Sequence, residues 1–187
     1  MSDGPAVGTV LADAPLLDIK GKNTSLSKLA GDRVLVLLVY EGAGSPTAVR
    51  HLLEFRDATM SFDRLGARIA AVSPDEPAAA AFLKTERGVA FALACDPEKK
   101  ALREWGLVDP GTGEVRESLL VLGRDRGIKS RSLGEFPDAD RLLQFIRRGG
   151  AKGATRAEPS AAARVGGFFA RAAAAIRHAL RTPGVVR

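Results

Sequence analysis

Continuous apolar runs alternate with amphipathic segments along the first half of the chain. The runs 33–40, 67–73 and 89–95 consist largely of Leu, Val and Ala, which predicts strands buried on both faces. Apolar residues recur at helical spacing between these runs, first in a segment that ends near residue 66 and then in the alanine-rich segment 77–87. Strands that alternate with helices in this way predict a mainly parallel sheet.

The flanking segments complete the predicted body. Residues 8–33 are rich in turn-forming residues, and no regular element is assigned to them. A further helix is predicted over 97–107, and a last one over 138–148. Between them, 117–123 and 128–134 are strand-like and joined by a short turn, which adds an antiparallel edge to the sheet. The predicted fold class is therefore α/β, with a central mixed sheet flanked by helices in three layers.

The turn after the first buried strand leads into a helix whose N-terminus is suited to bind an anion. In "YEGAGSPTAVRHLLEFRD", Ser45 is placed to cap the following helix and Pro46 to occupy its first position. A helix N-terminus offers unpaired backbone N–H groups and a partial positive charge. Ala48 lies in this first turn and carries only a methyl group.

Cysteine content and segment lengths limit the class of protein. Cys95 is the one cysteine, so no disulfide can form within the chain, and this fits a reducing compartment such as the cytoplasm. Residues 1–10 do not resemble a basic-then-apolar leader, and the run 34–40 is far too short to cross a bilayer. We therefore expect a soluble, cytoplasmic protein.

The net charge of +6 is concentrated at the C-terminal end. From Arg148 onward the chain has eight basic residues and one acidic residue, which leaves the preceding part with a net charge of −1. Nothing supports nucleic-acid binding by that part. We predict a domain at 1–148, a flexible linker at 149–160 and a basic amphipathic tail at 161–187. The tail either contacts an acidic partner or anionic membrane surface, or remains a disordered extension.

The order of these segments resembles a known family. The residues that carry the likeness are "APLL", "SLSKLAGDRVLVLLVY", "SP…FRD", "ALACDPEKKALREWGL" and "RESLLVLGRDRGI". Together they resemble the peroxiredoxins of the alkyl hydroperoxide reductase C / thiol-specific antioxidant family, and especially the bacterioferritin-comigratory-protein branch. The resemblance covers roughly residues 7–148. It implies a thioredoxin-like fold and reduction of peroxide through a cysteine, without a cofactor.

The family motif can be laid on this sequence residue by residue. The resemblance assigns the peroxide-holding hydroxyl to Ser45 and the arginine to Arg116. The position of the peroxide-attacking cysteine falls on Ala48. Glu41 stands where the motif has a proline, and His51 stands where that branch usually has a glutamate. An engineered removal of the cysteine would leave such neighbours unchanged, so we interpret Ala48 as a natural loss within a vestigial peroxide pocket.

Cys95 is the remaining candidate for thiol chemistry. It ends a parallel strand, so it should lie at the same sheet edge as Ala48. The helix predicted to start beside it would lower the pKa of its thiol, an effect that Asp96 would oppose. A free cysteine can equally be a small buried apolar residue. His51 is expected at the surface, and two separated histidines with one cysteine predict no metal site.

Two functions from different classes stay open. One is a degenerate, peroxiredoxin-shaped binding module without standard peroxidase activity, which pairs as a homodimer or with a true peroxiredoxin. The other is a thiol-dependent oxidoreductase or peroxidase that uses Cys95 with an external thiol. The candidate ligands are a peroxide, a small anion held by Arg116, or a thiol protein.

Overall fold

The computed structural model describes residues 4–151 of the chain. Within them lie seven strands and five helices. In chain order these are β1 (Pro15–Asp18), β2 (Asn23–Ser25), α1 (Leu26–Ala30), β3 (Val34–Val39), α2 (Pro46–Arg64), β4 (Ala67–Ser73), α3 (Pro77–Glu86), β5 (Ala92–Cys95), α4 (Lys100–Glu104), β6 (Ser118–Leu122), β7 (Ile128–Leu133) and α5 (Ala139–Arg147).

All seven strands form one mixed sheet in the order β2-β1-β5-β4-β3-β6-β7. The central strands β3, β4 and β5 are parallel, and β6 and β7 add the predicted antiparallel edge. The opposite edge is a correction to the sequence-based prediction, because the turn-rich N-terminal stretch forms the β1–β2 hairpin there. The carboxylate of Asp18 accepts hydrogen bonds from the backbone N–H groups of Lys20 and Lys22, and this stabilises the tight turn of that hairpin.

The sheet separates two apolar cores, as a three-layer fold requires. On one face Leu38 and Tyr40 pack with α2, α3 and α5. On the other face Leu35 and Leu37 pack with α1 and α4. The strands β3 to β6 are almost completely buried, which confirms the interpretation of their continuous apolar runs.

Two predicted boundaries are wrong for identifiable reasons. The strand predicted from residue 89 begins only at Ala92, because the Lys84 ammonium binds the carbonyl oxygens of the three residues before it, at 2.8–3.2 Å. The helix predicted from residue 97 begins at Lys100, because Lys99 adopts a left-handed conformation with φ 55°. The side chain of Asp96 then accepts hydrogen bonds from two N–H groups of α4.

The predicted linker and tail lie outside the described residues, except for residues 149–151. Their proposed boundaries and amphipathic character therefore stay predictions. Within residues 4–151, no helix has the length and apolar character needed to span a membrane.

Candidate functional site

The first turn of α2 has the predicted cap. Ser45 is in an extended conformation, and its Oγ accepts a hydrogen bond from the Ala48 N–H at 3.3 Å. Pro46 occupies the start of the helix, where its missing N–H costs nothing. Ala48 is fully buried and belongs to the same core as Tyr40. The residue to which the family resemblance assigns the attacking cysteine thus carries an inward-facing methyl group in the first turn of a well-formed helix.

The turn that leads into α2, residues 41–45, is held in place by Asp75. One oxygen of this carboxylate accepts hydrogen bonds from the Ala43 N–H and the Ser73 hydroxyl, both at 2.8 Å. Gly42 adopts φ 147°, and a Cβ on it would lie 2.9 Å from the other oxygen of Asp75. The turn therefore requires both the glycine and the carboxylate. Sequence reasoning missed Asp75, which the "SPDEP" turn contains but whose partner lies 32 residues away.

Arg116 is partly buried and its guanidinium forms an ion pair with Asp109. The distance from Nη2 to the Asp109 Oδ2 is 2.7 Å. The hydrogen bond from Arg116 is the main reason that the pKa of Asp109 is lowered to about 2, and the N–H groups of Gly111 and Thr112 also contribute. The positive charge of Arg116, which the family resemblance assigns to peroxide binding, is thus balanced by the Asp109 carboxylate. This pairing reduces the attraction that Arg116 can exert on an anion.

Residues 116–117 nevertheless reach the sheet end where α2 starts. β6 runs antiparallel to β3, with Ser118 opposite Val39, so the residues before Ser118 lie beside the residues after Val39. The consequence is a group of ionisable side chains that sequence reasoning did not anticipate: Glu117 experiences the charges of both Glu41 and His51.

His51 is half-buried, whereas the sequence predicted a surface residue. Its ring packs edge-on against Phe136, with the ring centroids 5.0 Å apart. Its Nδ1 is buried and has no hydrogen-bond partner among the described residues. The partial burial arises because Phe136, in the segment before α5, packs against this side of α2.

Cys95 lies at the carboxyl end of β5, which is the end of the parallel strands where it was expected. It is opposite Ser73 in the register between β5 and β4. It is fully buried in the same core as Ala48. Burial raises the pKa of its thiol to about 12, and the charges of Asp75, Glu76 and Asp18 add to this effect. The expected lowering by a neighbouring helix start is wrong, because α4 begins five residues later and Asp96 already binds its N–H groups.

Two further observations concern the Tyr40 hydroxyl near Cys95 and the possibility of a metal site. The hydroxyl of Tyr40 is buried without a hydrogen-bond partner of good geometry among the described residues, although the Ser73 hydroxyl lies nearby. Burial raises the pKa of Tyr40 above its ordinary value. In the part of the chain that the structure covers, no group of three or more His, Cys, Asp or Glu side chains is placed to hold a metal ion.

The chain matches a family model and several curated proteins. The model described as the AhpC/TSA family matches residues 7–131. Peroxiredoxin Q, chloroplastic, of Gentiana triflora is 34% identical over 101 residues, which are 54% of this chain and 46% of that protein. Its counterpart from Populus jackii is 36% identical over 93 residues, which are 49% of this chain and 43% of that protein. The chain thus spans about half the length of the curated relatives it matches.

Solved structures show the same fold. The crystal structure of peroxidoxin BcpB from Mycobacterium tuberculosis has a TM-score of 0.71 and 25% sequence identity, over 77% of this chain and 97% of that one. Peroxiredoxin Q of Xanthomonas campestris has a TM-score of 0.67 and 21% identity, over 78% of this chain and 97% of that one. The latter similarity concerns the fold alone. The thioredoxin-like arrangement of sheet and helices predicted from the sequence is confirmed.

Proposed function

The chain belongs to the AhpC/TSA family, and we propose that it is a degenerate member of it: a peroxiredoxin-shaped module without standard peroxidase activity. The observation that carries this proposal is the buried methyl group of Ala48 in the first turn of α2, at the position that the family resemblance assigns to the attacking cysteine. Peroxide reduction by this family's chemistry requires a thiolate there, which becomes a sulfenic acid.

The neighbouring side chains do not supply a substitute. The hydroxyl groups of Ser45 and Thr47 are poor nucleophiles toward peroxide, and the Ser45 Oγ is engaged by the Ala48 N–H. Arg116 is paired with Asp109, and the carboxyl groups of Glu41 and Glu117 lie at this sheet end. These surroundings offer little attraction to an anionic ligand.

A second candidate function uses Cys95 as the attacking thiol. One observation favours it: Cys95 contributes to the lining of a shallow cavity of about 220 Å³, together with Asp96 and Asn23. Its thiolate would take one oxygen from the peroxide, and with one proton from solvent the products would be a sulfenic acid and water or an alcohol. Two molecules of an external thiol would then reduce the sulfenic acid to the thiol, leaving as a disulfide while the oxygen leaves as water. The full burial of the side chain and the raised pKa of the thiol weigh against this route.

A peroxide-consumption assay with dithiothreitol as reductant separates the two candidates. The protein itself and a Cys95→Ser variant are both expected to show no turnover above the uncatalysed rate. An Ala48→Cys variant is expected to gain turnover, because the helix start capped by Ser45 would hold the new sulfur in its first turn, near the positive end of the helix dipole. Turnover by the unmodified protein that disappears with Cys95→Ser would overturn the proposal in favour of Cys95. An inactive Ala48→Cys variant would show that the pocket has also changed.

A further inference from the structure

A cavity of about 480 Å³ lies at the end of the sheet opposite to Ala48. Val34, the first residue of β3, lines this cavity, whereas Ala48 follows the other end of the same strand. The cavity is therefore separate from the vestigial peroxide pocket. Its volume falls within the range of about 300–1,000 Å³ that is typical of small-molecule sites.

The wall of this cavity is apolar and comes from the start of β3 and the ends of α2 and α5. Its side chains are those of Val34, Leu65, Ile146 and Ala151. The last two belong to the buried core, and the first two are half-buried and pack against it. The wall thus continues the core out to the surface, so an apolar part of a ligand would leave water on contact with it.

The turn between β6 and β7 adds charged groups to the cavity. The Lys129 side chain is only 13% exposed, and its ammonium binds the Asp125 carboxylate at 2.9 Å. Gly123 leaves room for this ion pair, since a Cβ on it would lie 2.5 Å from the Asp125 Oδ1. Arg124 is exposed, and its guanidinium makes no ion pair or hydrogen bond with another residue of 4–151. One positive charge is therefore left uncompensated at the mouth of the cavity.

The residues around the cavity are also mainly positive. Three further exposed arginines are adjacent in the chain, or nearly so, to lining residues: Arg64, Arg147 and Arg148. The partly negative C-terminal ends of α2 and α5 lie at this end of the sheet as well. Backbone N–H groups, such as those of Gly66 and Gly149, already bind carbonyl groups of these last turns. The full charges of the arginines therefore outweigh the partial charges of the helix ends.

We propose that this cavity binds a carboxylate with an unbranched apolar chain, such as a free fatty acid. The apolar chain lies along the wall, and the carboxylate binds the Arg124 guanidinium and the Lys129 ammonium. A guanidinium and a carboxylate form charge-assisted hydrogen bonds of matched geometry. The inference goes beyond the proposed function, because it assigns a ligand site at the other end of the sheet and involves no redox step.

Asp125 provides a test whose direction a structural defect would not reproduce. Its carboxylate competes with that of the ligand for the Lys129 ammonium. An Asp125→Asn substitution removes this competition, so it should strengthen binding. The asparagine keeps an acceptor oxygen for the Gly127 N–H, which Asp125 binds at 3.1 Å, and this preserves the turn.

Isothermal titration calorimetry of the full chain with decanoate, below its micelle-forming concentration, tests the site. Arg124→Gln is expected to weaken binding by about tenfold, and Asp125→Asn to strengthen it by about threefold. Arg50→Gln is the matched control, because Arg50 is an exposed arginine near the other end of α2. It should bind decanoate like the unmodified protein. The basic residues from Arg148 onward are the same in every variant, so their attraction for decanoate does not differ.

The role of the apolar wall is tested with other ligands. Hexanoate, which is four methylene groups shorter, should bind at least about tenfold more weakly, since each methylene group that leaves water strengthens binding about fourfold. The neutral decan-1-ol should bind more weakly than decanoate, and its binding should not respond to Arg124→Gln. In NMR spectra of the isotope-labelled protein, decanoate should shift the amide signals of Gly66 and Gly123, which line the cavity.

Three results would overturn the proposal. They are no measurable binding of decanoate, equal affinities of the unmodified protein and Arg124→Gln, and NMR shifts that leave Gly66 and Gly123 unchanged. Each of them leaves the peroxide assay, and hence the proposed function, unaffected.

Discussion

Removing the carboxylate of Asp75 tests how the turn before α2 is held. An Asp75→Ala substitution deletes two hydrogen bonds of 2.8 Å, from the Ala43 N–H and the Ser73 hydroxyl. Hydrogen bonds to a charged group contribute about 1.5–3 kcal/mol each, and both donors here are partly shielded from water. Because the vacated space can admit water to these donors, we expect a decrease of about 2–4 kcal/mol in the free energy of unfolding.

Urea unfolding followed by circular dichroism measures this change directly. An Asp75→Asn variant, which keeps one acceptor oxygen without the charge, should lose about half as much. Glu76→Ala is the matched control: Glu76 is the adjacent exposed acid, and its side chain makes no capping hydrogen bond. We expect that variant to stay within about 0.5 kcal/mol of the unmodified protein.

The charge of Asp75 also has a second, measurable effect. It is one of the groups that raise the pKa of the Cys95 thiol, after the larger effect of burial. Asp75→Asn should therefore lower that pKa only in part and leave Cys95 poorly reactive in the folded protein. Unfolding of Asp75→Ala at the same urea concentration as Glu76→Ala would refute this expectation. The hydrogen bonds that Asp75 accepts would then contribute no measurable stability.

Two further predictions concern the described body. Cys95 should react with a thiol-specific reagent at pH 8 only as fast as the protein unfolds, because its side chain is fully buried. In addition, a pKa of about 12 against an ordinary 9.0 lowers the thiolate fraction about a thousandfold. Rapid labelling without urea would contradict this. Lys84→Met should lose about 2 kcal/mol of stability in urea unfolding, since the Lys84 ammonium binds three carbonyl oxygens. The exposed control Lys20→Met should lose less than about 0.5 kcal/mol, and equal losses would refute the contribution of Lys84.

The sequence correctly predicted those strands and helix starts that depend mainly on residues close together in the chain. The strands β3 and β4 follow from unbroken apolar runs, and the start of α2 follows from Ser45 and Pro46. The turn signals of the N-terminal hairpin were recognised in the sequence, but its two strands were not. Strands of four and three residues are too short to show a clear periodicity. Pairing with the neighbouring strand β5, 75 or more residues later, is what makes this segment an edge of the sheet.

The absence of a sulfur atom at the start of α2 could be seen in the sequence by itself. Ala48 follows the cap by three residues, and the chain has one cysteine, which stands elsewhere. These are properties of residue identity and short-range spacing, which folding does not change.

Only the tertiary structure decided what surrounds that position. Glu41, His51 and Glu117 are brought together by the antiparallel pairing of β3 with β6, and no local pattern connects them. In the same way, the burial of Cys95 depends on the strands and helices packed around it and not on the residues beside it in the chain. Charge and solvent exclusion act through space, so the pKa of a group is determined by neighbours that are distant in the sequence.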